Sequence, residues 1–224
     1  MSSTEPGGLV VLFQDDDLLA VDKPPGVPVQ PDPTGDPSLL EQVQRRGGHP
    51  DASIGLPHRI DRPVSGVVLF TRNQAALSAL NAAFRAGAVR KTYLAIVEGR
   101  TPEAGECRHH LKQHAGKRKA LVHAEHGREA VLRYRTWVNG DRFSLIEVVP
   151  YGGAFHQIRA QLSASGHPIK GDVKYGARRS EPDRSISLHA WKLELTHPSS
   201  GAPLLITAPE PERSIWPALL ALRG

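Results

Sequence analysis

The apolar residues of this chain come in short runs, such as Val67 to Phe70, punctuated by 21 Gly and 19 Pro. A transmembrane helix needs about 18 apolar residues in succession, so no membrane span is expected. Short runs bounded by turn formers suit strands and brief helices. The glycines show no G-X-Y period, which excludes collagen. At 224 residues the chain can bury a core without covalent staples. Its single cysteine, Cys107, cannot form an internal disulfide, and the start MSSTEPGG lacks the basic and apolar parts of a signal peptide. The expected compartment is the cytoplasm.

Residues 1–8 are polar and glycine-rich and are expected to form a flexible tail, with one domain over residues 9–224. Leu9 to Phe13 and Leu18 to Val21 read as strands around a turn at Asp15 to Asp17, and Lys23-Pro24-Pro25-Gly26 ends the second. Ser38 and Glu41 form a capping-box pattern for a short helix that Gly47-Gly48 stops. Val67 to Thr71 is a buried-type strand. Asn73 then caps a helix with Leu77, Leu80 and Phe84 on one face and Gly87 as its stop. Thr92 to Val97 and Phe143 to Val149 are strand-like, and turns are expected between them near Gly105, Gly116 and Gly127. His156 to Ser165 reads as a short amphipathic helix ended by Gly166. Ile186 to Leu195 and Leu204 to Thr207 read as strands, and Ile215 to Leu222 as a closing helix. Strands outnumber helices without strict alternation, which predicts an α+β fold.

The net charge is +5, and it is concentrated. Arg85 to Arg135 holds twelve Lys/Arg against five Asp/Glu, together with five of the eleven histidines. Such a segment suits a polyanion, because each phosphate neutralised releases counterions; a solvated basic face is the plainer alternative. No phosphate-loop or dinucleotide fingerprint occurs, so no nucleotide cofactor is expected. His110 and His114 are four apart and His123 and His126 three apart, spacings open to zinc. No HExxH or cysteine pair accompanies them, and Lys117, Arg118 and Lys119 lie among them, where cations repel a divalent ion. No metal is expected.

Four segments carry the informative constellation: HRIDRPVSG from His58, KTY from Lys91, GAFHQIRAQL from Gly153, and GHPIKGDVKYG from Gly166. In this order they resemble the RluA family of RNA pseudouridine synthases. Its hallmarks are H-R-[LI]-D-x-x-[TS]-S-G, K-x-Y, G-R-T-H-Q-I-R-x-H-L and G-x-P-I-x-G-D-x-x-Y-G. The opening LLAVDKPPGVPV is similar to the family's first strand and Pro-Gly turn. Pro63-Val64 and Ala154-Phe155 depart from the pattern, and Gln161 stands where His is common.

The resemblance implies a single catalytic domain with a mixed, mostly antiparallel central sheet flanked by helices, a central cleft, and no S4 domain. It implies isomerisation of a specific uridine in rRNA or tRNA, without a cofactor. The N1–C1′ bond breaks, the uracil turns, and C5 rejoins C1′. Asp61 is then the essential carboxylate, acting as nucleophile or as the base that takes a ribose proton. Arg159 is its charged partner, and Tyr93 stacks on the uracil, which must be looped or flipped out of a duplex. RNA contacts are expected from Arg59, Arg62, Lys91, His156, Gln157, Lys117, Arg118 and Lys119. The segment Asp172 to Gly176 is expected to be a turn at the cleft wall. A monomer is expected. The alternative is an RNA-binding protein of this fold without the chemistry.

Overall fold

The computed structural model describes residues 8–46, 54–114, 116, 118–123 and 125–223. The expected stop at Gly47-Gly48 lies outside them. The chain divides into two compact units, one from Met1–Arg90 with Ala190–Pro209, the other from Lys91–His189 with Glu210–Gly224.

The first unit is built on antiparallel pairing of β1 (Val10–Gln14) with β2 (Leu18–Lys23), and of β2 with β3 (Ser65–Thr71). Every residue of β3 is buried, as its continuous apolar run requires. Helix α1 (Leu39–Arg46) starts with the expected capping box. Ser38 N–H and Oγ–H both donate to Glu41 Oε2, at 2.8 and 2.6 Å, and Glu41 N–H returns to Ser38 Oγ. Helix α2 (Gln74–Arg85) is capped by Asn73, whose Oδ1 accepts from Ala76 N–H at 2.8 Å. Its buried Ala76 and Leu80 join Leu18, Val67 and Leu69 in one apolar cluster.

The second unit holds a meander of long antiparallel strands. β4 (Arg90–Glu98) pairs with β8 (Phe143–Tyr151), β8 with β7 (Arg128–Asn139), β7 with β5 (Ala104–His114), and β5 with β6 (Lys119–His123). The basic segment is therefore mostly strand. The expected turn near Gly105 is not there: Gly105 lies in β5 opposite Tyr134, and a Cβ would overlap the phenol. Many of its charges are bound to one another across the strands. Arg108 bridges Glu129 at 2.8 Å and Glu106 at 3.1 Å, and Arg133 takes the other Glu106 oxygen at 2.8 Å. Helix α3 (Gln157–Ala164) is not amphipathic: Gln157 to Leu162 are all buried. The polar ones are bonded within the protein: the Gln161 amide N–H groups donate to Cys107 O and Ala130 O, although its Oε1 has no partner among the described residues. β9 (Leu188–Thr196) leads to β10 (Pro203–Thr207), with which it pairs antiparallel, and α4 (Trp216–Leu220) closes the chain. No helix among the described residues is long and apolar enough to cross a membrane.

Two features of β2 and β3 yield tests. Gly66 in β3 has φ +111°, and a Cβ there would overlap the Ala190 carbonyl. Gly66→Ala combines left-handed strain with overpacking, each ~1–3 kcal/mol, so urea unfolding should show a loss of at least ~2 kcal/mol. Gly26 has φ +87° but nothing within 4 Å of a Cβ, so Gly26→Ala should cost the strain alone.

Asp22 in β2 is the second. Burial pushes its carboxyl up to about 6, with the Lys23 charge opposing, and its Oδ1 has no hydrogen-bond partner among the described residues. The folded state binds this proton more tightly than the unfolded chain, whose value is near the ordinary 3.8. Its contribution is thus full below pH ~4 and is lost as pH rises through about 6. Asp22→Asn should match the wild type in stability near pH 4 and exceed it near pH 7, by on the order of 2–3 kcal/mol. Paired denaturation curves at the two pH values measure this.

Candidate active site

In the first unit the structure accounts for the HRIDRPVSG segment residue by residue. His58 Nε2 accepts the Leu69 N–H of β3 at 2.9 Å, and its ring stacks on Phe84 of α2 at 5.1 Å. Ile60 and Val64 are buried in the core. Between them the chain turns, with Val64 N–H on Asp61 O at 3.0 Å, and Asp61 is half-buried on that turn.

Lys23 fixes the turn from below. Its side chain is completely buried, and its ammonium donates to Pro24 O, Val27 O and Arg62 O at 2.9, 2.8 and 3.0 Å. Three donors meet three carbonyls, which makes a buried charge tolerable. Gly26 N–H adds a second bond to Arg62 O at 2.8 Å.

Arg62, expected at the RNA, is engaged within its own unit. Its Nε donates to Gly26 O at 2.8 Å, Nη1 to Thr34 Oγ1 at 2.8 Å and Asp32 at 3.3 Å, and Nη2 to Asp36. These bonds organise residues 26–36 around the turn. Arg59 beside it is exposed. Among the described residues one trio of metal-ligand types occurs, Asp15, Asp17 and His197, with ligand atoms within 4.8 Å of one another. Its bonds are those of a stapled turn: Asp15 accepts from Asp17 N–H, Leu18 N–H and His197 Nε2.

In the second unit the centre is Arg159. It is buried in α3, and its Nε and Nη2 donate to the two oxygens of buried Asp172 at 2.6 and 2.8 Å. Nη1 lies 3.2 Å from His156 Nε2. A guanidinium only donates, so Nε2 accepts, and the proton of a neutral imidazole sits on Nδ1. That proton donates to Tyr175 Oη at 2.8 Å, which also accepts Ala120 N–H at 2.7 Å. The Tyr175 ring is buried, 5.0 Å from Arg159 Cζ and 4.7 Å from Lys119 Nζ. All three guanidinium nitrogens are thereby directed by the protein.

Local backbone explains why these groups meet. His156 caps α3 at φ +51°, a left-handed conformation that histidine tolerates better than most residues, and Phe155 stacks on its ring at 3.8 Å. Asp172 serves twice. Its carboxylate holds Arg159, and its carbonyl accepts Tyr175 N–H at 2.9 Å, closing the short 3₁₀ turn Val173–Tyr175. Gly171 before it has φ +89° and no room for a Cβ beside Ser185 O. The segment expected as a cleft-wall turn is thus the mount of the buried arginine.

The remaining expected residues separate. Tyr93 is half-buried near the start of β4, opposite Val148. Lys91 Nζ donates to Gly152 O, and burial, with Arg128 nearby, holds its ammonium below the ordinary lysine range. Gln157, expected at the RNA, is buried, donates to Val131 O and accepts from Ala154 N–H. Arg118 is exposed at the β5–β6 turn, at φ +45°. Lys117 lies outside the described residues. Asp172 and Tyr175 are the residues that sequence reasoning passed over as participants. Their signal was the G-D-x-x-Y-G spacing itself, which puts a carboxylate and a phenol on one turn.

The fold and these two side-chain constellations define a class. The profile of the family described as RNA pseudouridylate synthase matches residues 17–164. Over 220 residues the chain is 32% identical to ribosomal large subunit pseudouridine synthase D of Nitrosomonas europaea, covering 91% of this chain and 62% of that protein. It is 31% identical over 219 residues to tRNA pseudouridine synthase C of Haemophilus ducreyi, covering 89% and 90%. In fold it is similar to human RNA pseudouridylate synthase domain containing 1, with TM-score 0.76, 24% identity, and coverage of 96% and 89%. The chain belongs to the RNA pseudouridylate synthase family. It spans 62% of the length of the first two curated relatives it matches.

The Arg159–Asp172 pair can be tested directly. Asp172→Asn removes the bidentate carboxylate from a buried guanidinium, which should cost ~3–5 kcal/mol in unfolding free energy. Tyr175→Phe strands Ala120 N–H and should cost ~1–3 kcal/mol. Chemical denaturation of each variant measures both.

Proposed function

We propose that this chain isomerises a uridine within RNA to pseudouridine, with Asp61 as the essential carboxylate. One observation carries the reading most: in a member of this family, the signature turn is built by its neighbours around that half-buried carboxylate. Asp61 acts as nucleophile or as the base for a ribose proton. The C5 proton is released, N1 gains one, and the C1′–C5 bond replaces C1′–N1, so no redox partner or energy source is required. Tyr93 gives the uracil a ring to stack on, worth ~1–3 kcal/mol. Arg159, held by Asp172 and His156, supplies a fixed positive charge for the reaction.

The RNA substrate is ribosomal or transfer RNA, the two kinds named by the relatives. The uridine is looped or flipped out, because the chemistry cannot reach a stacked base. Arg59, Lys91, Arg118 and Lys119 remain the candidate phosphate contacts, and the protein acts as a cytoplasmic monomer.

The test is tritium release from transcripts labelled at uridine C5, with carbodiimide mapping of the product. Wild type should release tritium with or without EDTA, and Asp61→Asn should release none while still binding RNA. Residual turnover within about tenfold of wild type, ~1.4 kcal/mol, removes Asp61 from the role. Bound but unchanged RNA with the wild-type protein supports a binding protein without chemistry.

A further inference from the structure

The second unit contains a cleft of about 580 Å³ at the end of β4 away from Tyr93. Its walls are the end of β4 (Glu98, Gly99), the β7–β8 turn with Phe143, and residues 178–180. Tyr93 and Glu98 are five residues apart on one extended strand, about 17 Å at ~3.3 Å per residue. The cleft is thus separate from the expected position of the target base.

The walls are pinned together. Gly99 N–H donates to Arg142 O at 2.8 Å, Ser144 Oγ to Gly99 O at 2.7 Å, and Arg178 N–H to Glu98 Oε1 at 2.8 Å. Such a cavity is preformed, and its volume falls in the ~300–1,000 Å³ range of small-ligand sites. Two of its cations are already paired: Lys170 with Glu181 and Ser214, and Arg178 weakly with Glu98, at 3.7 Å. Arg142 and Arg179 also line it, and among the described residues neither guanidinium has a carboxylate within ion-pairing distance. Against them stands one lining acid, Asp141, that has no cationic partner among the described residues. Phe143 contributes the aromatic surface, with the Lys170 ammonium 5.8 Å from its ring centroid on one face and the other face left for a base.

Two guanidiniums, one acceptor and a phenyl ring match the parts of a nucleotide: phosphate, base edge and base face. We propose that this cleft holds one unpaired nucleotide of the RNA strand, away from the target uridine. Its phosphate lies between Arg142 and Arg179, its base packs against Phe143, and an N–H of the base edge donates to Asp141. The inference rests on the RNA reading above and adds a second anchoring point to it.

The test measures fluorescence anisotropy of a 5′-labelled twelve-residue oligouridylate on the full chain, at several salt concentrations. Arg142→Ala/Arg179→Ala should weaken binding at least fivefold at low salt. It should also make the salt slope shallower by about 0.7, the contribution of the one single-strand phosphate that the two guanidiniums share. Phe143→Leu, which keeps an apolar side chain, should weaken binding about threefold or more with an unchanged slope. Thermal melting confirms that each variant is folded. Wild-type affinity and slope in the double variant overturn the proposal, and an unaffected Phe143→Leu overturns its base-stacking part. Uridine monophosphate binding as tightly as the oligomer, followed by NMR, reassigns the cleft to a free nucleotide. If the wild-type chain binds no oligouridylate, the RNA reading itself fails. If it binds and the double variant binds equally well, only this cleft is ruled out.

Discussion

The second unit is organised around one buried ion pair, Arg159 with Asp172. Their side chains are 6% and 1% exposed and meet through two bonds of 2.6 and 2.8 Å. Removing two charges from water costs several kcal/mol per ion, and the attraction recovers it only with near-ideal geometry. Such a pair is therefore weak as a device for stability and strong as a device for position. The bidentate fork fixes the guanidinium plane, and His156 fixes its third nitrogen. Tyr175 then ties this arrangement to Ala120, next to the turn of the basic hairpin.

The first unit solves a parallel problem with Lys23. An ammonium buried without partners would lose its proton or unfold its surroundings. Three carbonyls from residues 24, 27 and 62 instead use all three donors. The strand that carries Lys23 is thereby tied to the residue after Asp61, so the position of the turn follows from the register of β2 on β3. In both units a buried cation, held by partners of its own unit, sets the place of a group on which the proposed chemistry depends.

Most elements were legible in the sequence because their signals are local. The Ser38/Glu41 box, the Asn73 cap and the apolar run of β3 act within a few residues, and all three are realised. The basic segment resisted because its strands carry charge on one face. Cys107, Leu111, Ala130 and Leu132 point inward, while Glu106, Arg108, Glu129 and Arg133 form a ladder outside. Gly105 read as a turn former because a sequence does not display the ring of Tyr134 lying across it. Helix α3 read as amphipathic because Gln157, Arg159 and Gln161 are polar, yet each is buried against a partner from a distant segment.

The sequence by itself determined the family, since the motif residues stand at fixed spacings along the chain, and the carboxylate and RNA partner proposed above are read from that family. It also determined that the chain would be α+β, because hydrophobic period and turn chemistry are properties of short windows. Only the tertiary structure decided what the charged residues do. Arg62 and Arg159 are the same residue type in comparable motifs, yet one organises a loop and the other is buried against an aspartate thirteen residues away. A guanidinium's role is set by which acceptors reach it through space and by how much water is excluded, and both depend on contacts between segments far apart in the chain.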